Sequence, residues 1–195
     1  MGRYITPAPS VTQSGPVKKQ QVFKTSGTFL PSQKLLDTGG VVTVRCVGGG
    51  GSSGGGGGSG GSGGSSGMDV TRMCTVTGPV EVMIGAGGGK GYDGGDTLFG
   101  VVLKANGGKR GTTNTPGTSV GEGSMPGHPS NALSLPGRGG GIGGGAGVSQ
   151  LTPATAPFTC AVPNTGGGGG GVQYGYTTLP HCTGGSGICI VEWEE

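Results

Sequence analysis

Five cysteines, two histidines and a few carboxylates are the side chains with which this 195-residue chain could do chemistry. The cysteines are Cys46, Cys74, Cys160, Cys182 and Cys189. A zinc site wants tightly paired ligands such as CxxC. Here Cys182 and Cys189 are separated by six residues, with His181 adjacent, so no metal is expected. An odd count without a secretion signal favours reduced thiols. Cys46, Cys74 and Cys189 sit in strand-like runs, where cysteine acts as a small hydrophobe. A nucleophilic role for Cys182 or Cys189 beside His181 would need a base and an oxyanion hole, and the sequence supplies neither. His128, in PGHPS, reads as an exposed turn residue. Asp93 and Asp96, in GYDGGDT, could face Ca²⁺, but two carboxylates without further oxygen ligands fall short, and a turn-forming role is expected. GGGKG (Gly87–Gly91) invites a phosphate-loop reading and fails it. The earlier glycine that the motif needs is Ile84, the residue after Lys90 is Gly91, and no helix pattern follows. The expectation is a protein with no cofactor and no enzymatic activity.

The residues left for binding are aromatic. Tyr92, Tyr174 and Tyr176 lie beside glycine runs. They could stack on a sugar or anchor a partner, or they could cap glycine layers or fill a subunit interface. Net charge is +3, and Lys18-Lys19 and Lys109-Arg110 are the only basic pairs. Without clustered Lys and Arg interleaved with aromatics, nucleic-acid binding is not expected. No run of 18 apolar residues exists, so no membrane insertion is expected. The start, MGRYITPAPS, lacks the apolar stretch of a signal peptide.

Glycine dominates what must position these residues. It makes up 53 of 195 residues, against a usual share of roughly 7%. Twenty consecutive residues, Gly48 to Gly67, read GGGGSSGGGGGSGGSGGSSG in mid-chain. Such tracts ordinarily mean linker or disorder. This one is entered from Val41–Val47 (VVTVRCV) and left through Val70–Val76, both alternating as half-buried strands do. Pro79–Ile84 (PVEVMI) follows a Thr-Gly-Pro turn of the kind that joins hairpin strands. Thr97–Ala105 (TLFGVVLKA) is the most apolar run, with Gly100 marking a bulge or a close backbone approach. Gln20–Leu30 reads as a strand leading into the domain, Val172–Tyr176 reads as a short strand, and Ile188–Trp193 is the last. Phe99, Val101, Leu103, Val82, Ile84, Ile188, Ile190 and Trp193 are the candidates for the core or an oligomer axis. Residues 1–22 read as an extended docking arm and 23–195 as one domain with glycine-rich loops at 48–67, 85–95 and 107–171. Polyglycine can form a left-handed three-residue helix, and several such helices can pack with backbone groups pairing between them. In that case serine is tolerated on the outside; the alternative is a flexible loop.

The layout resembles the glycine-rich domain at the ends of bacteriophage tail fibres and tail-tip proteins. Three pieces carry the likeness: VVTVRCVGGGG (Val41–Gly51), PVEVMIGAGGGKGYDGGDTLFGVVLKANGG (Pro79–Gly108) and GGSGICIVEW (Gly184–Trp193). More distantly it is similar to the glycine-rich domain of anaplastic lymphoma kinase-type receptors, whose fold is a tumour-necrosis-factor-like β-sandwich with polyglycine helices. The resemblance implies an all-β, jelly-roll-like sandwich, a homotrimer, and a structural virion protein of the tail, assembled in the bacterial host cytoplasm. The arm, with Tyr4, Ile5, Pro7 and Val11, would dock on other virion proteins, and the glycine loops would meet a host-surface receptor. The alternative is a purely structural baseplate, collar or capsid decoration protein.

Overall fold

The computed structural model describes residues 15–54, 61–112, 115–129, 139–145, 160–171 and 182–195. In chain order the elements are β1 (Lys18–Phe23), β2 (Gly27–Phe29), α1 (Gln33–Asp37), β3 (Val41–Val47), β4 (Asp69–Thr75), β5 (Val80–Met83), β6 (Thr97–Phe99), β7 (Leu103–Ala105) and β8 (Ile188–Glu194). They form two four-stranded antiparallel sheets, β1-β8-β3-β4 and β2-β5-β6-β7. The fold is therefore all-β, with one helix too short to leave a 3.6-residue period in the sequence.

Alternation decides which residues meet between the sheets. Val42, Val44 and Cys46 of β3, Val70 and Cys74 of β4, and Cys189 and Val191 of β8 point inward from one sheet. Phe29, Val82, Phe99, Leu103 and Ala105 face them from the other. Phe29 is the aromatic hub: its ring centroid is 5.3 Å from Trp193, edge-on, and 6.0 Å from Phe99. Such tilted aromatic pairs add roughly 0.5–1.5 kcal/mol beyond the area they bury.

Several expectations are corrected. Thr97–Ala105 is not one bulged strand but a tight hairpin, because Gly100 takes φ +53° and the chain reverses to pair Phe99 with Leu103. Val101 stands at the tip of that hairpin, fully exposed, and is no part of the core. Ile188 and Ile190 fall on the outer, half-buried face of β8, because Cys189 and Val191 hold the inward phase. Ile84 and Trp193 pack at the margin of the core. The Thr77-Gly78-Pro79 turn does not close a hairpin: β4 lies in one sheet and β5 in the other, so the turn is a crossover. Residues 18–22 of the expected arm are strand, with Lys18–Phe23 pairing along β8 from Glu194 to Cys189.

The two ends of the sandwich differ. At one end Val17 and Glu195 exchange backbone hydrogen bonds of 2.8 and 3.0 Å. Ser32 caps α1 there, accepting from the Leu35 N–H at 3.1 Å, and donates to the Glu195 carboxylate. At the other end β3, β5 and β7 run out into glycine segments, and β4, β6 and β8 are entered from them.

Candidate functional site

The glycine end is the feature that an ordinary sandwich lacks. Segment 48–54 continues β3 and changes hydrogen-bond partner at every residue, returning to the same neighbour every third residue. Gly48, Gly51 and Gly54 donate to Met68, Ser65 and Ser62; Gly49 and Ser52 donate to Gly95 and Tyr92; Gly50 and Ser53 donate to Gly185 and Cys182. Its carbonyls accept from three further segments, through Gly108 and Gly111, Gly88, and Gly169. Segment 48–54 thus has six neighbours and is buried throughout. Segment 62–69 repeats the pattern, donating in turn to 106–112, 122–128 and 166–169. This pairing satisfies the backbone groups of a buried region that has almost no side chains.

The spacing between segments explains the composition. A Cβ built at Gly50 would lie 1.9 Å from the Gly167 carbonyl oxygen, one at Gly49 2.1 Å from that of Ala86, and one at Gly107 1.9 Å from that of Gly94. Only a hydrogen atom fits between these backbones.

The serines correct an expectation. Ser52, Ser53, Ser62, Ser65 and Ser66 are buried in the bundle, not on its outside. Three of their hydroxyls accept backbone N–H groups: Ser65 from Lys109 at 2.7 Å, Ser66 from Met125 at 2.8 Å and Ser53 from Cys182 at 3.0 Å. The Ser52 hydroxyl has no partner among the described residues. Thr97 ties bundle to sandwich: its buried hydroxyl accepts from the Gly85 N–H at 3.0 Å and donates to the Val47 carbonyl at 2.8 Å.

Asp93 and Asp96 brace this lattice. Asp93 accepts from Lys109 Nζ and from the Arg110 N–H, both at 2.8 Å. Asp96 accepts from the Gly107 N–H at 2.8 Å and pairs with Lys104 Nζ at 2.7 Å. Burial alone would push both carboxyls up, but the bonds from the lysines and backbone N–H groups outweigh it and hold them below the usual carboxylate range. Among the described residues, no group of three or more metal-ligating side chains exists.

Tyr92 closes a turn, its N–H donating to the Gly89 carbonyl at 2.9 Å, and its side chain projects to solvent at 72% exposure. Lys90 is exposed on the same turn, and Arg110 reaches across to donate from Nη1 to the Gly91 carbonyl at 2.5 Å. The structure therefore gathers Lys90, Tyr92, Lys109 and Arg110 at one place. Sequence reasoning singled out only the tyrosine for binding, because Lys109 and Arg110 lie 17 and 18 positions away and the Asp93–Lys109 link has no local signal. Tyr174, Tyr176, His181, the Val172–Tyr176 strand, and Tyr4, Ile5, Pro7 and Val11 of the arm lie outside the described residues. His128 is exposed, as expected of a turn residue, and its carbonyl accepts from the Gly63 N–H at 3.1 Å.

Four thiols are buried. Cys46 and Cys189 face each other across β3 and β8 with Sγ atoms 3.6 Å apart, and this hydrogen bond, with burial, pushes the Cys46 thiol far up. Burial, and then a bond with Cys160, pushes Cys182 up to about 12. Neither is a poised nucleophile at neutral pH. No protein-family model matches the chain, and no curated protein matches it significantly in sequence.

Proposed function

We propose that this chain is a non-enzymatic bacteriophage virion protein, a tail-fibre or tail-tip component that displays its glycine bundle for host attachment. The observation that carries this reading is the polarity of the molecule. The described glycine segments gather at one end of the sandwich, while Val17 and Glu195 pair at the other. A docking arm of residues 1–16 would leave from the pole opposite the displayed surface. The three-residue return of hydrogen bonds supports left-handed polyglycine helices packed side by side. Neighbouring first and last strands, with β3 beyond β8 and β2 in the opposite sheet, support a jelly-roll-type sandwich, which the β5-β6-β7 meander modifies. The assembly is a homotrimer, attached to other virion tail proteins. Small side chains and an extensively paired backbone make the bundle a rigid platform whose connecting turns can vary without disturbing the core.

Antibody against this chain, applied to intact particles and viewed by electron microscopy, tests the reading. Label at the distal tip of the tail is expected. Label at the neck, baseplate body or head would replace host attachment with a purely structural role, and absence of label would remove the virion assignment. Light scattering on the purified chain tests the trimer against a single 18.6 kDa subunit.

A further inference from the structure

We propose that the Gly89–Tyr92 turn, with Lys109 and Arg110 beside it, is a binding site for an acidic cell-surface polysaccharide. Tyr92 is the ring on which a sugar stacks, and Lys90 and Arg110 contact its carboxylate or phosphate groups. This rests on the reading that the glycine bundle faces outward to a host.

The backbone of Tyr92 is not on a loose loop. Its carbonyl accepts from the Ser52 N–H at 3.1 Å, and Ser52 belongs to the fully buried central segment of the bundle. Its N–H closes the turn onto Gly89. Asp93, the next residue, clamps Lys109 and the Arg110 backbone. A mostly exposed aromatic side chain is thus mounted on a rigid frame, so binding need not order the backbone beneath it.

The charge around the ring is unbalanced. Residues 85–112 hold four cations, Lys90, Lys104, Lys109 and Arg110, against two carboxylates, Asp93 and Asp96. Both carboxylates are engaged, one with Lys109 and one with Lys104. Lys90 has no carboxylate partner among the described residues, and Arg110 shares Asp93 with Lys109 while its Nη1 donates to the Gly91 carbonyl, which fixes the guanidinium beside the turn. An aromatic face beside three cations, Lys90, Lys109 and Arg110, with the one carboxylate of Asp93 among them, suits a ligand with an apolar sugar face and an anionic substituent. A surplus of about two positive charges is too small for the phosphate tracking on which nucleic-acid binding depends. Each site alone would be weak, and repetition on both polymer and virion supplies avidity.

The test is biolayer interferometry of the full-length chain on immobilised polygalacturonate, on a phosphomannan and on neutral dextran, at low and at physiological salt. Binding to at least one acidic polymer, weakening with salt and absent on dextran, is expected. Tyr92→Ala and Lys90→Ala should each weaken it roughly tenfold, with Tyr92→Phe close to wild type and thermal midpoints unchanged. Preference between the two polymers tells carboxylate from phosphate recognition. Failure to bind either acidic polymer, or Tyr92→Ala binding as well as wild type, overturns the proposal, as does duplex DNA competing equally well. Tip labelling of the virion with no polysaccharide binding would sink this site alone; polysaccharide binding with label on the head would sink the attachment role alone.

Discussion

Single atoms decide much of the glycine end. At Gly50 a methyl group would meet the Gly167 carbonyl oxygen at 1.9 Å and its carbon at 2.4 Å, and neither is a flexible side chain that can swing away. Gly50→Ala should therefore cost about 3 kcal/mol or more, or prevent folding. At Gly78 nothing lies within 4 Å and φ is not left-handed, so Gly78→Ala should stay within about 1 kcal/mol of wild type. Urea unfolding of the two variants separates a packed lattice from a loose loop: equal stabilities would show that the close approaches are not real constraints. The serines offer a second contrast. Ser65→Ala leaves the Lys109 N–H without its 2.7 Å acceptor and should cost about 1–3 kcal/mol, whereas Ser52→Ala removes a buried hydroxyl that has no partner among the described residues and should be neutral or stabilising. The same unfolding measurement checks both. The lattice was only partly legible in the sequence. The run of glycines announced close backbones, but a buried serine and an exposed one look alike until their neighbours are known.

Among the elements, β1 has the least local support. Its residues KKQQVF show little alternation, and only pairing with β8 makes them a strand. That is why the sequence placed residues 18–22 in an arm and read one strand over Gln20–Leu30, where the structure has β1 and β2 in opposite sheets. Phe23 is buried at the end of this strand, and the pairs from Lys18–Glu194 to Phe23–Cys189 hold the edge of the sheet. A truncation removing residues 1–16 keeps all of these pairs and should leave the thermal midpoint unchanged. Removing residues 1–23 takes away the strand and Phe23, and should cost at least about 3 kcal/mol. If the shorter truncation also unfolds the protein, the arm is part of the fold; if it folds but no longer joins particles, the arm is the anchor. β3, β4, β5 and β8 were readable because alternating Val, Ile, Thr and Cys mark a half-buried strand. The partition of β4 and β5 into different sheets was not readable, because a Gly-Pro turn bends the chain without saying toward which sheet.

For the molecule as a whole, pH reports on how the bundle is braced. Asp93 and Asp96 have pKa values below the usual range when folded, so their ionised forms contribute stability that is complete above the unfolded value. It is lost as pH falls through the lowered folded values. The thermal midpoint should be flat from neutrality down to about pH 4, then fall steeply. Asp96→Asn, which gives up the Lys104 pair and weakens the hold on the Gly107 N–H, should lower the neutral midpoint and shrink the acid-dependent part. A variant with an unchanged acid limb would show that Asp96 is not one of the braces. The acid limb should be insensitive to thiol reagents, since four of the five cysteines are buried in the folded protein.

By itself the sequence determined that the chain is β-rich and that its glycine runs lie between strands. Those properties are local, written in alternation, spacing and residue type. Tertiary structure alone decided that separate glycine segments meet around one another at a single end, that Ile188 and Ile190 face outward while Cys189 and Val191 face inward, and that Lys90 and Tyr92 share a surface with Arg110. The reason is physical: a glycine segment has no side chain with which to specify a neighbour, so its partners are set by the strands that deliver it and by the backbone hydrogen bonds left to be made.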